Sequence, residues 1–194
     1  MVRQGNCYEL AFESWLRDNG VNYLYVDQQK RTIFARDKVK TFDFLLYPTS
    51  GRSPDEGDAG IVIAEVKGKQ FDGISLDGLK GLQCWVTMED IRGMCQWQQQ
   101  LAESQRKGPV RAVFIFAYRF TNVDVDADGL EIYDFDGEQY CFFCVKLNDY
   151  IENMRLRSKS WQTVSLGSGS FREKSFSLRQ LLVPDTVRPY RVCY

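Results

Sequence analysis

The stretch VRAVFIFAY, residues 110–118, is the most continuously apolar run in the chain. Rich in β-branched and aromatic residues and too short to span a membrane, it suits a strand buried on both faces at the centre of a sheet. Such a strand needs a covering layer on each side. The flanking sequence offers the material. Residues 4–19 place Tyr8, Ala11, Phe12, Trp15 and Leu16 on one helical stripe, and Asn19-Gly20 supplies a stop. VNYLYV, TFDFLLY and IVIAEVK read as strands, separated by turn-rich segments that include PTSGRSPDEGDAG, a long hairpin loop. Thr87 followed by Asp90 predicts a capping box opening a helix that runs to Lys107, with Gly108-Pro109 ending it. After the central strand, EIYDFD and QYCFFCVKL predict a hairpin, NDYIENMRLRS a short helix and GSGS a mobile loop. The order of helix, three strands, helix and strand indicates an α/β layered domain.

With 194 residues, a single domain is expected. No apolar run approaches membrane-spanning length, and MVRQGNCYELAFESW has neither an h-region nor a small-residue cleavage site, so a cytoplasmic protein with no membrane association is expected. Cysteines in that setting are thiols. Cys141 and Cys144 form a CxxC, but inside a predicted strand and without a second pair to complete a zinc site, so they read as core residues. Histidine is absent, which excludes Ser-His-Asp and Cys-His hydrolases and HExxH metalloproteases together. Any catalysis must fall to carboxylates and lysines. The net charge of -1 hides an uneven distribution: residues 124–138 are acidic, and Arg155, Arg157, Lys159, Arg172 and Lys174 make the C-terminal third basic. That asymmetry permits a polyanion-binding surface, and a solvated mixed face is the plainer account.

Chemistry concentrates around IVIAEVK. Alternation along a strand puts Glu65 and Lys67 on the side of Ile61 and Ile63, with Val62, Ala64 and Val66 opposite. A strand running out into solvent with a weak surface pair is the bland alternative. Asp43 stands within TFDFLLY between Phe42 and Phe44, so its side chain should oppose theirs, and a carboxylate in such surroundings needs a metal ion or a base. On the first helix Glu9 lies roughly 90° from the centre of the apolar stripe, closer to the sheet than Glu13.

A helix Glu, a strand Asp and E-x-K on the next strand, in that order, resemble the PD-(D/E)XK nuclease core; GNCYE is also similar to the G-x-x-x-E of its Holliday-junction-resolvase branch. The likeness is closer to an uncharacterised bacterial family named for its HYExAFE motif: CYELAFE keeps Tyr8, Glu9, Ala11, Phe12 and Glu13, with Cys7 where that family has His. The resemblance covers roughly residues 5–119 and implies a restriction-endonuclease-like αβββαβ core, a mixed central sheet flanked by helices, over about residues 4–119. A β-hairpin and helix extension would occupy about residues 120–194. It further implies Mg²⁺ or Mn²⁺ on Asp43 and Glu65 with the Val66 carbonyl as a further ligand. Lys67 would orient or help deprotonate the attacking water and stabilise the transition state, and Glu9 would hold a second metal ion or its water. These residues would make the chain a metal-dependent nuclease with DNA as partner; a homodimer is left open. The alternatives are a buried ion network on a non-catalytic nucleic-acid-binding or interaction module, or a hydrolase of another phosphodiester.

Further candidates are weaker. Gln98 falls among the inward residues of the second helix, near the metal site or bonded to backbone. Lys69 is a phosphate contact or an ordinary surface lysine. Arg155, Arg157 and Lys159, at the end of the predicted short helix, are candidate DNA contacts or partners of the acidic 124–138 stretch. DVDADG, residues 124–129, copies the opening of a calcium loop, but Phe135 replaces the bidentate Glu, and an Asp-Gly turn is the better reading.

Overall fold

The computed structural model describes residues 6–26, 40–48, 60–71, 81–104, 108–120 and 130–182. In chain order they form α1 (Cys7–Asp18), β1 (Asn22–Tyr25), β2 (Phe44–Tyr47), β3 (Ile61–Phe71), β4 (Val86–Thr87), α2 (Met88–Ser104), β5 (Val110–Phe120), β6 (Ile132–Phe135), β7 (Glu138–Lys146), α3 (Leu147–Asn153), β8 (Arg155–Ser158), β9 (Thr163–Ser165), α4 (Ser168–Lys174) and α5 (Leu178–Leu182). DVDADG, most of PTSGRSPDEGDAG and Lys107 lie outside the described residues. No helix among the described residues is long and apolar enough to cross a membrane.

The protein is mixed α/β. Its main sheet has the order β1-β2-β3-β5-β7-β6. β3 and β5 run parallel, in register from Ile61↔Val110 to Phe71↔Phe120, and the other pairs in the sheet are antiparallel. Parallel neighbours require a crossover, and α2 lies within it. The run 110–118 is the central strand: Val113, Ile115 and Ala117 enter one core, and Ala112, Phe114, Phe116 and Tyr118 the other. Truncating a ring such as Phe114 to alanine would cost about 3–5 kcal/mol.

Helix α1 covers the first face. Asn6 caps it by accepting from the Tyr8 N–H at 3.2 Å, and Val21 N–H returns to Leu16 O at 2.9 Å beyond the Asn19-Gly20 stop. Ala11, Phe12, Trp15 and Leu16 pack there on Val62, Ala64 and Val66. On the second face, Ile91 and Met94 of α2 pack with Phe42, Ile63 and the rings of β5. β6 and β7 form the expected hairpin; Asp136 and Gly137, both at positive φ, make its two-residue turn. Cys141 and Cys144 face opposite cores, so they cannot chelate one ion, and burial raises both thiols, Cys141 to about 12.

Four expectations need correction. Asp43 lies at a bend just before β2, and Phe42 and Phe44 enter opposite cores, so Asp43 does not oppose both. β3 continues to Phe71, which makes Glu65 and Lys67 mid-strand residues. GSGS is the start of α4, anchored by the buried Phe171, not a mobile loop. Arg155 and Arg157 lie on β8 of a separate sheet, β4-β9-β8, beyond the end of α3.

Candidate functional site

Pairing between β2 and β3 ends at Phe44↔Ala64, and there the chain bends. The next outward N–H of β3, that of Val66, is taken by the Asp43 carboxylate, Oδ2 accepting at 2.8 Å. A side chain thus replaces a ladder partner where the two strands part. Because a strand residue directs its N–H and C=O to the same edge, the Val66 carbonyl also leaves β3 on the Asp43 side.

On the α2 face of β3, Glu65 is 3 % exposed, beside Asp43 at 2 % and Asp90 of α2 at 2 %. Two lysines join them. Lys67 Nζ lies 2.8 Å from Glu65 Oε1 and 3.0 Å from Asp90 Oδ2. Lys40 donates to Asp90 Oδ1 and stands 3.7 Å from Glu65 Oε1. Among the described residues three carboxylates and two ammoniums gather here, the carboxylates buried, an arrangement that is costly wherever a buried charge lacks a partner.

The titrations follow from that burial and crowding. Burial raises the Glu65 carboxyl to about 7; Lys67 opposes the rise and the charge of Asp43 adds to it. Burial also disfavours the Asp90 carboxylate, but Lys67, Lys40 and the Thr87 N–H outweigh it and hold the group near 2. For Lys67, burial is outweighed by Glu65 and Asp90, and its pKa rises. Glu65 Oε2 is buried without a hydrogen-bond partner among the described residues. An orphaned carboxylate oxygen with a second carboxylate beside it fits a hard divalent cation with oxygen ligands. Among the described residues no group of three His, Cys, Asp or Glu side chains could hold a metal, so backbone or solvent oxygens would have to complete the set.

Lys40 escaped the sequence reading, and Asp90 entered it only as a helix cap. Asp90 does form the expected capping box: Thr87 N–H reaches Asp90 Oδ2 at 2.8 Å, and Asp90 N–H reaches Thr87 Oγ1 at 3.1 Å. The same carboxylate also binds both lysines. Lys40 is placed by α2, where Gly93 lets its backbone approach and the Trp97 indole N–H donates to its carbonyl at 3.2 Å. A Cβ on Gly93 would meet that carbonyl oxygen at 2.5 Å.

Glu9 rides on α1, the helix on the opposite face of the sheet, with neighbouring Tyr8 stacked on Gly68. Gln98 donates to Val110 O at 3.0 Å, four residues before Phe114, the β5 partner of Glu65, and so about 13 Å along the strand from the site. Lys69 is not a surface lysine. It is buried, with Nζ 3.3 Å above the Trp85 ring, and burial, with Lys67 and Arg157 nearby, lowers its pKa to about 8. Arg157 lies 5.2 Å from the same ring. Arg155, Arg157 and Lys159 are exposed and pair with no carboxylate among the described residues; from the acidic stretch, Glu131 pairs with Arg179 at 2.9 Å. Compared with known proteins, the chain matches no family model and no curated sequence.

Proposed function

We propose that the chain is a divalent-metal-dependent nuclease, hydrolysing phosphodiester bonds in DNA from a restriction-endonuclease-like core. The observation that carries this reading is the orphaned, buried Glu65 Oε2 beside Asp43 and Lys67, at the point where β2 and β3 part. Asp43, Glu65 and the Val66 carbonyl would hold Mg²⁺ or Mn²⁺, which supplies Lewis acidity toward water and the phosphate oxygens. Lys67 acts from the chain itself. Its ammonium, kept protonated by Glu65 and Asp90, is an electrostatic partner for charge developing on the phosphate, and Asp90 limits its wandering. With its pKa raised, Lys67 serves as a charge stabiliser rather than a resting base. Asp43 keeps the edge of β3 in position by holding the Val66 N–H.

The second reading, a non-catalytic nucleic-acid-binding module, draws on the same lysines: Lys40 and Lys67 already flank Glu65 Oε1, as they would in a purely structural ion network. Cleavage of plasmid, single-stranded and branched DNA, with and without Mg²⁺ or Mn²⁺, separates the two. The nuclease reading expects metal-dependent cleavage that Glu65→Gln abolishes. Equal cleavage by parent and variant, or none on any substrate with either metal, would overturn it.

A further inference from the structure

The β8–β9 hairpin sits beside the site. β9 pairs with β4 through Thr87↔Thr163, and the Met88 N–H donates to Gln162 O at 2.9 Å, so the hairpin tip is fixed to the first turn of the helix that carries Asp90. Its turn is held internally as well. Trp161 N–H reaches Ser158 Oγ at 3.3 Å, Gln162 N–H reaches Lys159 O at 3.4 Å, and Gln162 adopts a φ of 47°. On this braced turn the Trp161 side chain is 79 % exposed, and Leu156 on the adjoining strand 66 %.

The hairpin that carries the ring is basic. Arg155, Arg157 and Lys159 lie on the same hairpin, unpaired with any carboxylate among the described residues. A register shift between Leu156 and Ser158 places Arg157 at a bulge, and its guanidinium lies against Trp85, whose ring also carries Lys69. Lys69 follows Lys67 and Glu65 at two-residue spacing on one face of β3. Cationic groups therefore run from the carboxylates through Lys67, Lys69 and Arg157 to the hairpin. An exposed indole on a braced turn, with cations on the same hairpin, matches a ligand with alternating flat rings and negative charges, which is a nucleic-acid strand with its bases unpaired. A duplex would offer phosphates to the cations but keep its base faces stacked away from Trp161.

We propose that Trp161 stacks an unpaired nucleobase, so that the site handles single-stranded nucleotides next to the phosphate it acts on. This rests on the nuclease reading for the reaction, and on the hairpin alone for the binding. The test measures binding of a fluorescent thymidine oligonucleotide, and of the same strand paired with its complement, in the presence of a chelator. The parent should prefer the single strand. Trp161→Ala should weaken single-strand binding about tenfold, Trp161→Phe should hold it within about threefold, and duplex binding should change by less than about twofold. Removing so exposed a ring takes nothing from the core, and circular dichroism checks the fold. Parental single-strand affinity in Trp161→Ala, a parental preference for duplex, or an equal loss of binding to polyglutamate would each overturn the proposal. If Trp161 governs single-strand binding but no substrate is cut with either metal, the nuclease reading fails while this one stands. If metal-dependent cleavage occurs but Trp161→Ala binds and cuts single strands as the parent does, this one fails alone.

Discussion

Replacing Glu65 by Gln should remove a dependence of stability on pH. Burial and Asp43 against Lys67 and Lys40 move the Glu65 carboxyl from its ordinary 4.5 to about 7. The folded state therefore holds a proton that the unfolded chain has released between those values, and stability falls as pH rises through the interval. At about 1.4 kcal/mol per unit, the metal-free parent should lose about 3 kcal/mol between pH 4.5 and 7.5, and the Gln variant should not. Histidine is absent, so the residues that usually titrate in this window contribute nothing. Asp90, held near 2, and Lys69, near 8, titrate mainly outside it. Urea denaturation of both proteins at half-unit pH steps in a chelator gives the difference curve. Mg²⁺ should lift the parent selectively above pH 7, where the carboxylate is bare. Parallel curves for parent and variant would mean that burial leaves the Glu65 carboxyl at its ordinary pKa, and the argument from its burial would fall.

Asp43→Ala and Asp43→Asn should both abolish metal-dependent cleavage, yet the alanine variant should be less stable by about 1–3 kcal/mol in urea, because only Asn can still accept from the buried Val66 N–H. Gly93→Ala should cost about 1–3 kcal/mol and displace Lys40, since its Cβ would meet the Lys40 carbonyl at 2.5 Å; an unchanged urea midpoint would show that α2 does not hold Lys40 by close contact. Changing Arg155 and Lys159 to Gln should flatten the salt dependence of single-strand binding by about 0.7 units per contacting residue, with Arg157, lying against Trp85, contributing less. A salt series by anisotropy reads this directly.

Much of the fold was legible because its signals are local. The stripe of α1, the Thr87–Asp90 box, the run 110–118 and the alternation in IVIAEVK each lie within one element, where burial imposes a period. The site was legible only in part. Lys40 and Asp90 meet across fifty residues of chain, and no local pattern announces such a contact; the capping role of Asp90, read correctly, supplied a sufficient reason for it to be there. β8 is exposed along most of its length, so the alternation that betrays a half-buried strand is missing. GSGS has the composition of a linker, and its helical state follows from the buried Phe171 just beyond it. Asp43 was misplaced because a strand pattern continues through a bend that only the partner strand reveals.

Val66 belongs to two environments at once: its side chain lies in the core beneath α1, and its N–H binds the carboxylate at the end of the opposite layer's site. The sheet is therefore a transmitting plate as well as a partition. A repacking of Phe12 or Ala64 that slides this residue by a few tenths of an ångström would reach Asp43 without disturbing any charged group directly. Lesions buried far from the lysines would then surface as a changed Glu65 titration while the chain is still folded, and second-site revertants of a disturbed site should be sought under α1 as well as around the carboxylates.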